Sequence, residues 1–310
     1  SATLPPEADE PRVGGTLDVA VARGVEDWNV LRTPMTTSTR WLATAVFEPL
    51  MRVSETGVPE PWLAESVTPD DTGTTWTITV REGVTFSDGG PLPAAAVKAN
   101  LDARADSPLF AAAMAPLALV SVVDDRTVEV AMRTPWYGFD AFLSGPGGWQ
   151  AAPSSVLDPE GDVVLDPVHD PVGTGPFTVA PRGDGDPGPP DGAVTFVRSD
   201  AYWGGPAPLD GVEGRVLPDA RDRADALASG TVDLLLTSDP AGLVRFLGRP
   251  GYLQVEDLAA TESAIELNTA APPFDDPTLR RAAQLATDRA PIAELFTDGL
   301  GTPAAGPWIE

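Results

Sequence analysis

The sequence predicts an α/β fold of at least two domains, and three observations lead there. A chain of 310 residues that is 42% hydrophobic buries one large or two ordinary cores. Strict alternation in Trp76-Thr77-Ile78-Thr79-Val80 and in Val128, Val130 and Met132 marks half-buried strands, whereas Val97 and Leu101, four apart, mark one face of a helix. Arg221 to Ser229, then Gly230, then Val232-Asp233-Leu234 reads as a helix, a left-handed stop and a strand.

Taken in order, Ser1 to Pro11 is short, polar and rich in proline and acid. It lacks the basic start and apolar stretch of a signal peptide and reads as a disordered tether. Gly14 to Val21 opens a strand with Leu17, Val19 and Val21 on one face. Arg23 to Thr39 has no clear period, and a helix is predicted from Thr39, capped by Ser38, with Leu42, Val46, Phe47 and Leu50 near helical spacing. Thr56-Gly57 is a turn, and Pro61 to Ser66 leads into the strand at Trp76. Glu82-Gly83 and Asp88-Gly89-Gly90 punctuate the way to a helix over Ala94 to Arg104.

The strand at Val128 follows an Asp124-Asp125 turn; Trp136 to Leu143 is short and aromatic, and Gly145 to Trp149 is a loop. Asp158 to Asp170 is acidic and loop-like. Phe177 to Pro181 is a strand fed by a tight glycine turn. Pro187, Pro189 and Pro190 break any calcium-loop spacing in Asp184 to Gly192, which reads as a hairpin tip. Strands follow at Val194 to Val197 and Val212 to Leu217, then the helix at Arg221, a helix over Pro240 to Leu247, a strand over Ser263 to Asn268, and a helix over Pro277 to Arg289 burying Leu279, Ala282 and Ala286.

Composition excludes several functions. Without cysteine there is no disulfide framework and no thiolate metal site. The formal charge of -26, from 46 acidic against 20 basic residues, makes nucleic acid a poor partner. So much acid either attracts cationic ligands or keeps a solvated surface from aggregating. No apolar run approaches the roughly 18 to 20 residues that a bilayer-spanning helix needs. Catalysis lacks its parts: the single histidine, His169, lies in an acidic loop, and there is no nucleophile elbow, phosphate-binding loop or dinucleotide fingerprint. Neither a metal nor a cofactor is expected.

The stretch that organises the chain is Pro171-Val172-Gly173-Thr174-Gly175-Pro176-Phe177, whose glycines enter positive-φ turns cheaply. With it come Phe47-Glu48-Pro49-Leu50, Tyr202-Trp203-Gly204-Gly205, Leu279-Arg280-Arg281-Ala282 and Asp288-Arg289. In that order and at those separations, from about Gly14 to Pro307, these pieces resemble the family 5 solute-binding proteins of ABC importers, the oligopeptide, dipeptide and nickel binders.

The resemblance implies a periplasmic-binding-protein-like fold, class II of the cluster C type. Residues 12–49 and 168–260 would form a mixed sheet domain, 50–167 a smaller inserted α+β domain, and 261–310 the start of a second lobe that family members continue further. It implies an extracytoplasmic monomer, held at the cell surface as a lipoprotein or free in the periplasm. That monomer would capture a peptide or similar small solute and deliver it, by hinge closure, to membrane permease subunits. The cleft positions it suggests are Met35, Thr36, Ser38 and Arg40, then Phe110 and Trp149. Hydroxyls and backbone would pair with a ligand's amides; the aromatics would form flat walls or pack in the core, and Arg40 would face the ligand or solvent. Two alternatives stand beside peptide capture: a nickel or metal-chelate binder, and a sensory or scaffold module that contacts a protein. The nickel binders' cleft arginine would fall at Pro146, and the second-lobe histidine and aspartate of the nickel and peptide binders lie past Glu310. If two lobes share a micromolar ligand equally, one lobe alone holds it at about millimolar affinity.

Overall fold

The computed structural model describes residues 13–158, 160–164, 166–181, 192–237, 239–255 and 266–297. The tether, the tip at 184–191 and most of the strand expected at Ser263 lie outside them, and 266–268 carry no strand. In chain order the elements are β1 (Thr16–Val21), α1 (Thr37–Ala43), β2 (Met51–Val53), β3 (Pro59–Pro61), β4 (Ala64–Pro69), β5 (Thr75–Val80) and α2 (Ala94–Asp106). There follow β6 (Leu117–Val122), β7 (Thr127–Met132), α3 (Phe139–Phe142), α4 (Pro153–Val156), β8 (Phe177–Val179), β9 (Val194–Arg198) and β10 (Gly211–Val216). The last are α5 (Ala220–Ala228), β11 (Leu234–Leu235), α6 (Pro240–Val244), α7 (Pro277–Ala286) and α8 (Arg289–Thr297). No described helix is long and apolar enough to cross a membrane.

The chain divides into two compact units, residues 7–236 and residues 237–310 with 1–6. In the first, β11-β1-β10-β9-β8 make a mixed sheet. There β1 runs parallel to β10, from Thr16 opposite Gly211 to Val21 opposite Val216, and parallel to β11. Between β1 and β8 in sequence lies a separate antiparallel sheet, β4-β5-β7-β6. Each sheet has its own core, Trp28, Leu42, Phe47 and Phe196 against the mixed sheet and Trp76, Ile78, Leu101 and Phe139 against the other. Each such side chain stabilises the fold by roughly 1.5–3 kcal/mol. β1 is buried on both faces, because Ala20 packs with Ala226 and Val232 behind the sheet, so single-face alternation understates it.

Several elements differ from the sequence reading for identifiable reasons. Thr36, not Ser38, caps α1: its hydroxyl accepts from Thr39 N at 3.3 Å. Ser38 is the second residue of the helix, buried, and accepts from Ala22 N at 3.3 Å. β6 carries no alternation signal, because Leu117-Ala118-Leu119-Val120 is a continuous apolar run. The helix expected to reach Arg289 breaks where Thr287 turns extended, and Asp288 accepts from Ala290 N at 3.3 Å as the chain re-enters a helix. No side chain of α7 is buried, Leu279 being 45% exposed; periodicity finds an apolar face without saying what covers it.

The Gly173-Thr174-Gly175 turn forms, but neither glycine has a positive φ. Their lack of a side chain serves contact instead. A Cβ on Gly173 would lie 2.1 Å from the Val46 carbonyl oxygen, and one on Gly175 would lie 2.4 Å from that of Ala45. The bare backbone approaches closely enough for Gly175 N to donate to Val46 O at 2.8 Å and Phe177 N to Ala45 O at 3.0 Å.

Two other sequence motifs meet in space. The Glu48 carboxylate, 5% exposed, accepts from Trp62 Nε1 at 2.8 Å, Tyr202 Oη at 2.6 Å and Trp203 Nε1 at 2.9 Å. Burial raises the Tyr202 pKa above its ordinary 10.0, and the hydrogen bond to Glu48 adds to the shift. This knot joins the segment leading into β4 to the loop after β9.

Candidate ligand-binding cleft

The parallel strands β1 and β10 end side by side, with Leu217 N donating to Val21 O at 2.9 Å, and the chain continues from them as Ala22 onward and as Leu217-Pro218. A cleft of about 610 Å³ opens there, walled by Arg23 to Asp27, by Arg32 to Thr36 with Thr39, and by Val216 and Pro218. In open α/β sheets such crevices are where ligands bind, because diverging connections leave a gap edged by unpaired backbone.

The wall is built by polar residues that satisfy one another. Asp27 accepts from Asn29 N and Val168 N, each at 2.9 Å, and from the Thr33 hydroxyl at 2.5 Å, with Arg32 Nε 3.6 Å away. Asn29, buried, donates to the carbonyls of Val164 and Asp166 at 3.0 and 2.8 Å and accepts from Leu31 N at 2.9 Å. With Asp27 saturated, the charges that line the cleft without an ion-pair partner among the described residues are the exposed Arg23 and Glu26. One cation, one anion and the hydroxyls of Thr36 and Thr39 suit a ligand that carries both charges and amide groups. Among the described residues no cluster of three or more histidine or carboxylate side chains is placed to hold a metal ion.

Of the residues singled out in the sequence, Met35 and Thr36 line this cleft. Ser38 lies behind it, fixing α1 to the exit of β1. Arg40, half-buried on α1, is outside the lining. Phe110 packs edge-on to Phe142 at 6.4 Å. Trp149 is 3% exposed and stacks on Phe47 at 6.1 Å, in the core of the mixed-sheet domain. Neither aromatic lines the cleft. Arg23, Glu26, Asp27 and Arg32 were not singled out; the one signal for them was position, directly after a strand whose parallel partner a single sequence does not reveal.

The family model for bacterial extracellular solute-binding proteins, family 5 Middle, matches residues 58–310. The chain is 31% identical over 254 residues to the glutathione-binding protein GsiB of Salmonella paratyphi A (strain ATCC 9150 / SARB42), covering 79% of this chain and 46% of that protein. It is 28% identical over 259 residues to the nickel-binding periplasmic protein of Escherichia coli (strain K12), covering 80% and 47%. The chain spans about half the length of the curated relatives it matches. The crystal structure of NikA from Brucella suis in complex with Fe(III)-EDTA superposes with a TM-score of 0.68 at 26% identity, covering 92% of this chain and 57% of that one. Sequence and fold agree over most of the residues, and the chain belongs to the bacterial extracellular solute-binding proteins of family 5.

Proposed function

We propose that this chain is part of the extracytoplasmic ligand-capture component of an ABC importer, and that the cleft at the ends of β1 and β10 takes a small peptide. The observation that carries the reading is that Arg23 and Glu26, neither with an ion-pair partner among the described residues, line one crevice with Val216, Pro218 and the threonines Thr33, Thr36 and Thr39. Such a site matches a short zwitterionic amide better than a bare metal ion, which wants several converging oxygen or nitrogen ligands. The glutathione-binding relative supports the same class, glutathione being a tripeptide. Capture would involve recognition alone, with the loaded monomer passed to membrane permease subunits. Within this reading residues 12–49 with 168–260 act as the sheet domain, 50–167 as the insert and 261–310 as the start of a further lobe. A lipid anchor would keep the protein at the membrane surface.

Calorimetric titration tests this with three probes: reduced glutathione, trialanine and a nickel–histidine chelate. The reading predicts binding of at least one peptide at about millimolar affinity, lost on Met35→Arg, which fills the cleft. Binding of the chelate alone would favour metal transport instead. Peptide binding untouched by Met35→Arg would move the site elsewhere.

A further inference from the structure

One face of α2 carries three polar side chains in a row. Asn100, Arg104 and, just past the helix end, Ser107 are four and three residues apart, the spacing that stacks side chains on a helix, and none exposes any surface. Each directs donors to backbone outside the helix. Asn100 Nδ2 donates to the Ala151 carbonyl at 2.8 Å while its Oδ1 accepts from Ala151 N at 3.1 Å. Arg104 Nη2 donates to the Trp149 carbonyl at 2.5 Å and Nε to that of Pro146 at 3.2 Å. Its Nη1 turns back to the carbonyl and Oδ1 of Asn100 at 3.0 and 3.2 Å. The Ser107 hydroxyl donates to the carbonyl of Leu31.

No carboxylate is among these partners. Burial pushes the Arg104 pKa down to about 9, so at neutral pH the guanidinium is a cation held by carbonyl dipoles alone. A planar fork of five donors does this where a lysine would not. The guanidinium also lies 5.8 Å from the Phe110 ring centroid, and Phe110 N donates to Ser107 O at 3.1 Å. Leu31, fully buried, immediately precedes the cleft wall of Arg32 to Thr36. The stripe therefore grips the residue that leads into the cleft wall and lies against Phe110.

We infer that Asn100, Arg104 and Ser107 are positioning residues for ligand capture: they hold the wall of residues 32–36 at a fixed place relative to Phe110 and the 146–151 loop. A fully bonded buried polar network fixes one arrangement where an apolar contact would allow sliding. The inference rests on the cleft being the ligand site.

Ser107→Ala removes the hydroxyl that donates to Leu31 O, just before the cleft wall, and accepts from Leu109 N at 3.1 Å, with minimal change in volume. Val130→Ala, in β7 and in the same apolar core, leaves the stripe intact and lowers the melting temperature at least as much. In Ser107→Ala the amides of Arg32 and Thr33, which donate to Asn29 O, are expected to exchange hydrogen about fivefold faster, and reduced glutathione to bind about fivefold more weakly. In Val130→Ala both stay at the parent value. Unchanged exchange and affinity in Ser107→Ala, or equal changes in Val130→Ala, would overturn the positioning role. If the parent binds neither glutathione nor trialanine, the cleft reading falls and the role falls with it, and faster exchange in Ser107→Ala would then describe a structural bond only.

Discussion

Replacing Gly173 by alanine is expected to destabilise the protein by about 4 kcal/mol, more than a typical overpacking change. The added methyl carbon would lie 2.1 Å from the Val46 carbonyl oxygen and 2.9 Å from Phe47 Cδ1. Backbone, not a flexible side-chain end, has to move. Moving it strains the bonds that fasten the turn, Ser87 N to Gly173 O at 2.8 Å and Gly175 N to Val46 O at 2.8 Å. In a domain of this size the loss lowers the melting temperature by roughly 10 °C. Gly83→Ala is the control, since that glycine has a φ of +81° and nothing within 4 Å of its Cβ position. It is expected to lose only about 1 kcal/mol, for backbone conformation. Equal melting temperatures for the two variants would mean that close approach is not what Gly173 provides.

Glu48→Ala is expected to have a comparable effect, about 4 kcal/mol, because it leaves the Trp62, Trp203 and Tyr202 donors in a half-buried setting without their shared acceptor. Each donor stranded away from water loses on the order of 1 kcal/mol or more. Glu48→Gln keeps the shape but turns one acceptor oxygen into a donor, and falls between wild type and Glu48→Ala. Chemical denaturation of the three proteins checks the order, and a Glu48→Ala midpoint equal to wild type would remove the knot as a stabilising feature. The same knot sets an alkaline limit. With the Tyr202 pKa raised above 10.0 in the folded state, the folded protein binds that proton more tightly than the unfolded chain does. Its contribution is complete below pH 10 and fades as the pH climbs from there toward the folded value. Tyr202→Phe should lack that part of the decline.

Sequence pattern located most strands because alternation reports a sheet with one buried face, as in β5 and β7, whose inward residues are the ones expected. It located the Gly173-Thr174-Gly175 turn and assigned the wrong cause, since a lone sequence does not distinguish a glycine needed for φ from one needed for contact. It placed Glu48 and Tyr202-Trp203 in separate motifs and could not join them, because their contact spans 154 residues. The polar stripe of α2 was invisible for a different reason. Asn100 and Arg104 lie three and seven residues after Val97, on the face that it marks, and a lone sequence does not show that the 146–151 loop and Leu31 arrive there to accept their donors and that of Ser107. The cleft charges were likewise hidden, as Arg23 and Glu26 become a site only once β10 lies parallel beside β1.

Hydrogen exchange of the chain with and without several millimolar trialanine or reduced glutathione tests the central claim most directly. If the crevice at the ends of β1 and β10 captures the ligand, amides in residues 22–36 and around 216–218 slow, while those in β5 and β7 keep their rates. Protection confined to the antiparallel sheet, or no protection by either peptide, would contradict it.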